Sequence, residues 1–277
     1  MFNMIKSDVY RLIKSKALYI AIAIIIIMSL LSIIGMSAGN IGLKITSSNL
    51  IDDPDILVER TTAKSLKEYR NVMKEYGHFE LDKEIIGQNA NLYYIFIIIV
   101  AIILTRDFSN KTIKNTLSSA INRKKYYISK TLIILGTATC LILFNNYFTY
   151  FINIAINGKE FSSTFGEIAK LTLYQLPILY GIICLLICFA FITKKASIFN
   201  AISIPFVMIF QIVTLTITSL FKIQMGIFTN YEFQNALFNL AYNPTNEYIL
   251  KCSLLGTIYI ILFSIIGYYS FKSTEIN

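Results

Sequence analysis

Six stretches of this chain contain no Asp, Glu, Lys or Arg and are each long enough to cross a lipid bilayer, a pattern that no water-soluble fold absorbs. They run 17–36, 85–105, 131–154, 171–193, 196–220 and 252–271. At about 1.5 Å rise per residue, roughly twenty helical residues span a hydrocarbon core of about 30 Å. Backbone polar groups find no water there, so each run must satisfy its own hydrogen bonds, as a helix does. The expected fold class is an all-α integral membrane protein with six transmembrane helices in one membrane domain, 1–277. The second run is the weakest of the six. Gly87, Gln88, Asn89 and Asn91 occupy its first turns, before the apolar stretch 95–104, and leave five or seven as alternative counts.

Composition agrees. Charged residues are 15% of the chain, against about 25% in soluble domains. The net charge of +9 raises the question of a nucleic-acid partner, and its placement answers it. Segments 1–16, 106–130, 194–195 and the tail from Lys272 carry Lys6, Arg11, Lys14, Lys16, Arg106, Lys111, Lys114, Arg123, Lys124, Lys125, Lys130, Lys194, Lys195 and Lys272, against Asp8, Asp107 and Glu275. The opposite side holds Asp52, Asp53, Asp55, Glu59, Glu68, Glu75, Glu80, Asp82 and Glu84 in one loop. Positive charge retained in short loops marks the cytoplasmic face, so both termini are expected there and no nucleic acid is needed to explain the charge.

The first sixteen residues are patterned. Phe2, Ile5, Val9, Leu12 and Ile13 follow a period of about 3.6 residues, with Lys6, Arg11 and Lys14 placed to face water or lipid phosphates. An interfacial amphipathic helix over 1–16 fits better than a secretory signal, whose apolar core is shorter than 17–36. The outer loop 39–84 is too long to be a bare connection. Asp53, Pro54 and Asp55 read as a helix start, and a charged helix over 55–76 is expected to stop at Gly77. Segment 221–251 interleaves Phe228, Tyr231, Phe233, Leu237 and Leu240 with Asn230, Gln234, Asn235 and Asn239, which predicts re-entrant or interfacial helices before the last span. Pro177 and Pro205 lie within spans as candidate kinks.

Several chemistries are excluded. Cys140, Cys184, Cys188 and Cys252 lie in or beside apolar runs without metal-ligand or redox spacing, and His78 is the one histidine. No catalytic or metal site is expected. The phosphate-binding pattern G-x-x-x-x-G-K-[ST] is absent, so the chain carries no ATP-hydrolysing loop of that type. Asn145, Asn146, Asn153, Gln175, Gln211 and Thr214 are polar groups inside spans. They are candidates to line a path, or equally to hold helices together by hydrogen bonds.

The most informative stretch is 106–130, RDFSNKTIKNTLSSAINRKKYYISK, where a span ends in an acid and an aromatic, a short amphipathic helix comes next, and a basic turn enters the following span. Ile113 and Leu117, four residues apart, form one apolar ridge, while Lys111, Lys114, Asn115, Ser118 and Ser119 face elsewhere.

Through Asp107, Phe108, Thr112, Ile113, Lys114, Asn115, Leu117, Ser118, Arg123 and Lys130, the chain resembles the permease subunits of type-2 ATP-binding-cassette exporters, and its span layout resembles theirs over nearly the whole length. Lys111, where that family commonly has glycine, and 120–122, in place of a Pro-Ile-Ser-like step, depart from the pattern. The resemblance implies a cytoplasmic coupling helix in 106–130, with Asp107, Thr112, Ile113, Lys114, Asn115, Leu117, Ser118 and Arg123 as the ATPase-coupling residues. It implies a separate nucleotide-binding ATPase subunit that holds ATP and magnesium, while this chain binds no cofactor. It also implies a second permease, identical or related, and residence in a bacterial plasma membrane surrounded by membrane lipid. The cargo it suggests is apolar or amphipathic, with antimicrobial-peptide or bacteriocin immunity as the role. The alternatives are a non-transporting membrane sensor or anchor built on the long outer loop and, with less in its favour, an intramembrane enzyme.

Overall fold

A computed structural model of the chain describes residues 2–37, 81–110, 112–113, 122–159, 162–220, 230–241 and 244–273. Among the described residues there is no strand. The elements are α1 (Phe2–Ile13), α2 (Lys16–Ser37), α3 (Leu81–Ser109), α4 (Arg123–Asn157), α5 (Phe165–Thr193), α6 (Ala196–Leu220), α7 (Phe233–Ala241) and α8 (Asn246–Lys272). Helices α2, α3, α4, α5, α6 and α8 are the six long and apolar enough to cross a membrane. The predicted helix over 55–76 lies outside the described residues.

These are the helices of a multi-pass membrane protein, and their outer faces show why. Ile20, Ile27, Leu31 on α2, Ile204, Met208, Ile212 on α6, and Leu254, Ile258, Leu262 on α8 are all exposed. Apolar surface on that scale is tolerable against lipid or another apolar surface and not against water.

The helices run further than the charge-free windows suggest. α3 begins at Leu81 and ends at Ser109, α4 runs 123–157 and α8 starts at Asn246, so charged residues enter the helical spans at their ends. The charge-free criterion stops at the first charge, whereas a helix continues through a charge that finds a partner or water. Local chemistry sets the termini. The Asn122 side chain accepts from the Lys124 N–H at the start of α4, and Thr164 with Glu167 forms a reciprocal capping box at the start of α5. Thr245 caps α8 by accepting from the Tyr248 N–H. Lys194 adopts φ 55° and ends α5, so α6 starts after a connection of two residues and folds back beside it.

α5 and α8 pack most intimately. A Cβ on Gly256 would lie 2.4 Å from the Pro177 carbonyl carbon, and one on Gly181 would lie 2.8 Å from Tyr259 Cβ. Small residues let the two backbones meet where branched ones would hold them apart. Pro177 and Pro205 both sit inside continuous helices. The predicted element before the last span exists as α7, whose Phe233, Ala236, Leu237, Leu240 and Ala241 are buried against α3 and α5.

α3 is the irregular span. A 3₁₀ turn over Gln88–Asn91 and a π turn over Ala101–Thr105 interrupt it. Each changes the register of the helical residues after it, and π turns concentrate at functional sites.

Candidate functional site

Where α3 ends and α4 begins, four charges meet, three of them buried and the fourth, Arg11, half-buried. Lys130 Nζ lies 2.6 Å from Asp107 Oδ2 and 2.7 Å from the Asp8 carboxylate. Arg11 donates to Asp107, to Asp8 at 3.0 Å and to the Ile103 carbonyl at 3.0 Å. The Asp107 and Lys130 side chains are 5% and 3% exposed, so neither charge is stable there without the other. Two acids face two bases, and the group is neutral as a whole. Tyr126 donates to Asp107 Oδ2 at 2.8 Å, and the Thr112 hydroxyl donates to Oδ1 at 3.2 Å.

The backbone explains how these groups converge. Asp8 and Arg11 are three apart on α1 and share its inner face with Met4, Ile5 and Leu12. Tyr126 and Lys130 are four apart on α4. The π turn Ala101–Thr105 precedes Asp107 and contributes the Ile103 carbonyl that Arg11 takes. Burial works to lower the pKa of Arg11, but its hydrogen bond to Asp107 and the charges of Asp107 and Asp8 outweigh that and raise it above its ordinary value. The expectation that Arg11 faces water or lipid phosphates is corrected. Asp8 and Asp107 supply stronger partners, while Lys6 and Lys14 stay exposed.

Beside the charges lies an aromatic layer that reaches two more spans. Phe191 at the end of α5 packs on Tyr127 and on Phe271, each at 4.9 Å between ring centroids, and on Phe108 at 5.8 Å. Arg123 donates to the carbonyls of Phe271 at 3.1 Å and Lys272 at 2.8 Å, placing a cation on the negative end of α8. One junction therefore ties together α1 and the corresponding ends of α3, α4, α5 and α8.

The predicted coupling residues divide around this junction. Asp107 is its hub. Thr112 is exposed and bonded to Asp107, Ile113 is 3% exposed and packs into the core, and Arg123 sits on the end of α8. Ile113 is thus an inward anchor of the segment instead of half of an outward ridge, because the core offers it more apolar contact than water does. Lys114, Asn115, Leu117 and Ser118 lie outside the described residues. Helices claim 106–109 and 123–130, which narrows the connection itself to 110–122.

The polar span residues form a second constellation, deep in the bundle. Asn89 donates to Asn146 Oδ1 at 3.0 Å and Gln175 Oε1 at 2.7 Å, and accepts from Asn145 at 2.9 Å. Asn146 donates to Thr172 Oγ1 at 2.9 Å, and Gln175 donates to the carbonyls of Ile86 and Leu237. Ser29 donates to Asn145 Oδ1 at 3.4 Å. The network joins α2, α3, α4, α5 and α7. Of the predicted path-lining residues, Asn145, Asn146 and Gln175 are thus tied to each other inside one bundle, and Asn153 accepts from Asn157 and donates to Ser162. Asn145, together with Ser29 and Asn89, also borders a cavity of about 350 Å³ between α2 and α3. Thr214 bonds back to the Phe210 carbonyl at 2.9 Å, and the Gln211 side chain lies outside the described residues.

Residue by residue reading missed Asp8, Lys130 and Asn89 as partners. Asp8 is the one acid of 1–16, which was a usable signal. Asn89 registered only as a flaw in the apolarity of the second span. Among the described residues, no group of three or more His, Cys, Asp and Glu side chains is arranged to hold a metal ion. No family model, curated protein or solved structure matches the chain. The site therefore has to be read from its own chemistry.

Proposed function

We propose that this chain is the membrane-spanning permease subunit of an ATP-driven exporter, with hydrolysis carried out by a separate ATPase that holds ATP and magnesium. α1 lies along the cytoplasmic interface of a bacterial plasma membrane, both termini are cytoplasmic, and segment 110–122 carries the coupling helix that the ATPase contacts. A second permease, identical or related, completes the path, and the cargo is apolar or amphipathic, with peptide antibiotics and bacteriocins as the favoured class.

The observation that carries this reading is the junction at Asp107. A segment offered to a soluble partner transmits force only if its ends are fixed to the elements that must move. Both ends of 110–122 are so fixed, by Asp107 on α3 and by Tyr126 and Lys130 on α4. Arg11 and Asp8 bring α1 into the same cluster, so a push on the segment is delivered to three helices together instead of being absorbed by a loop.

Affinity purification from native membranes tests the partner. The wild-type chain is expected to bring down an ATP-hydrolysing subunit, and Leu117→Asp to lose it while keeping its elution volume and thermal unfolding. A folded wild-type chain that brings down no such subunit favours a sensor or anchor and overturns the proposal.

A further inference from the structure

A second cavity, of about 620 Å³, opens between α3, α6 and the start of α2. Its composition changes along its length. Toward the end shared with the charged junction it is lined by Arg106, Ser109 and Asn200; further along α3 and α6 it is lined by Ile98, Ile102 and Ile204. The α3 residues recur at helical spacing, so one face of α3 forms the wall. Ala17 and Ala196 border the mouth, and the residue before each is an exposed lysine, Lys16 and Lys195.

Arg106 is exposed, and no acid among the described residues pairs with it. Its neighbour Asp107 points the other way and is consumed by Arg11 and Lys130. An unpaired guanidinium at the end of an apolar trough, whose border residues Ala17 and Ala196 each follow a lysine in the chain, is complementary to a negatively charged head joined to a hydrocarbon tail. Guanidinium matches phosphate with paired hydrogen bonds, and basic residues at a membrane face draw anionic lipid.

We infer that this groove is a binding site for an anionic phospholipid of the leaflet on the basic side, with its phosphate on Arg106 and an acyl chain along Ile98, Ile102 and Ile204. The site sits on the back of the turn that carries Asp107, so an occupant braces α3 against α6 next to the charged junction. The inference rests on the membrane reading of the chain and not on ATPase coupling, and its test contains no nucleotide.

Native mass spectrometry of the full chain, released from mixed micelles containing equal phosphatidylglycerol and phosphatidylcholine, reads the site directly. The wild type is expected to retain phosphatidylglycerol preferentially. Arg106→Gln is expected to lower that retention about fivefold or more, and Arg106→Lys to keep part of it. Ile204→Trp, which fills the trough and leaves the charge, is expected to reduce retention as well. Equal retention of the two lipids by the wild type overturns the proposal, as does an unchanged preference in a folded Arg106→Gln chain. Disulfide capture of two copies through Ile204→Cys in a chain carrying Cys140→Ser, with no lipid retained, assigns the groove to a second copy and also overturns it.

Discussion

Asp107 and Lys130 meet at 2.6 Å, closing the two ends of the connection between α3 and α4 onto each other. Asp107→Asn leaves Lys130 and Arg11 facing one carboxylate in a buried site. Removing one member of a buried charge group typically costs about 3–5 kcal/mol. Thermal unfolding in detergent is expected to show a loss of that order, and Lys130→Gln a comparable one. The double variant Asp107→Asn with Lys130→Gln is expected to cost less than the sum of the two, because each substitution removes the other's stranded charge.

Asn89 is the hub of the inner network, accepting from Asn145 and donating to Asn146 and Gln175. Asn89→Leu leaves the Asn145, Asn146 and Gln175 amides each short of one partner inside the bundle. A loss of about 1–3 kcal/mol is expected by the same unfolding measurement. Thr214→Ala, which removes a hydroxyl bonded to its own helix, is expected to change stability by no more than about 0.5 kcal/mol.

Gly256 and Gly136 separate packing from helix propensity. A methyl at Gly256 would enter the Pro177 backbone, whereas one at Gly136 meets nothing within 4 Å. Gly256→Ala is expected to destabilise by about 1–3 kcal/mol, and Gly136→Ala to be neutral or to stabilise by up to about 1 kcal/mol. Equal effects of the two would mean that α5 and α8 do not cross at this point.

Glu232, 5% exposed, precedes α7, and burial raises its pKa, only partly offset by the N–H groups of Asn235 and Gln234. A raised carboxyl pKa favours the folded state when protonated, so this contribution is present below the ordinary glutamate range and is lost as pH rises through the folded-state value. Glu232→Gln is therefore expected to unfold at higher temperature than the wild type at neutral pH. The gap should narrow as pH falls. A gap that widens on acidification would contradict the assignment.

The six spans were legible in the sequence because lipid demands uninterrupted apolar length, and the end of α5 was legible because Lys194 and Lys195 interrupt it. The inward turn of Arg11 was not legible. Its direction is decided by Asp107 and Lys130, which lie on two other helices and come near only after folding. Asn145, Asn146 and Gln175 were visible as polar residues in spans, but their partner Asn89 sits in an irregular turn of α3 where no helical period could place it. Segment 106–130 was singled out by its own pattern and by resemblance, and of its residues the structure places Asp107, Thr112, Ile113 and Arg123 at the junction or against the core.

If the chain pairs with an ATPase as proposed, the most direct test of force transmission through this junction is a distance measured between spans of the complex purified with that proposed partner. Nitroxide labels at Leu132→Cys on α4 and Ile202→Cys on α6, both lipid-exposed positions, in a chain carrying Cys140→Ser, report whether the helices move. The expected result is a nucleotide-dependent shift of the distance distribution in the otherwise wild-type chain. In Asp107→Asn, the ATPase stays bound and hydrolyses ATP while the shift is lost. A wild-type distribution indifferent to nucleotide, or an undiminished shift in Asp107→Asn, would contradict the claim that Asp107 links the connecting segment to the spans.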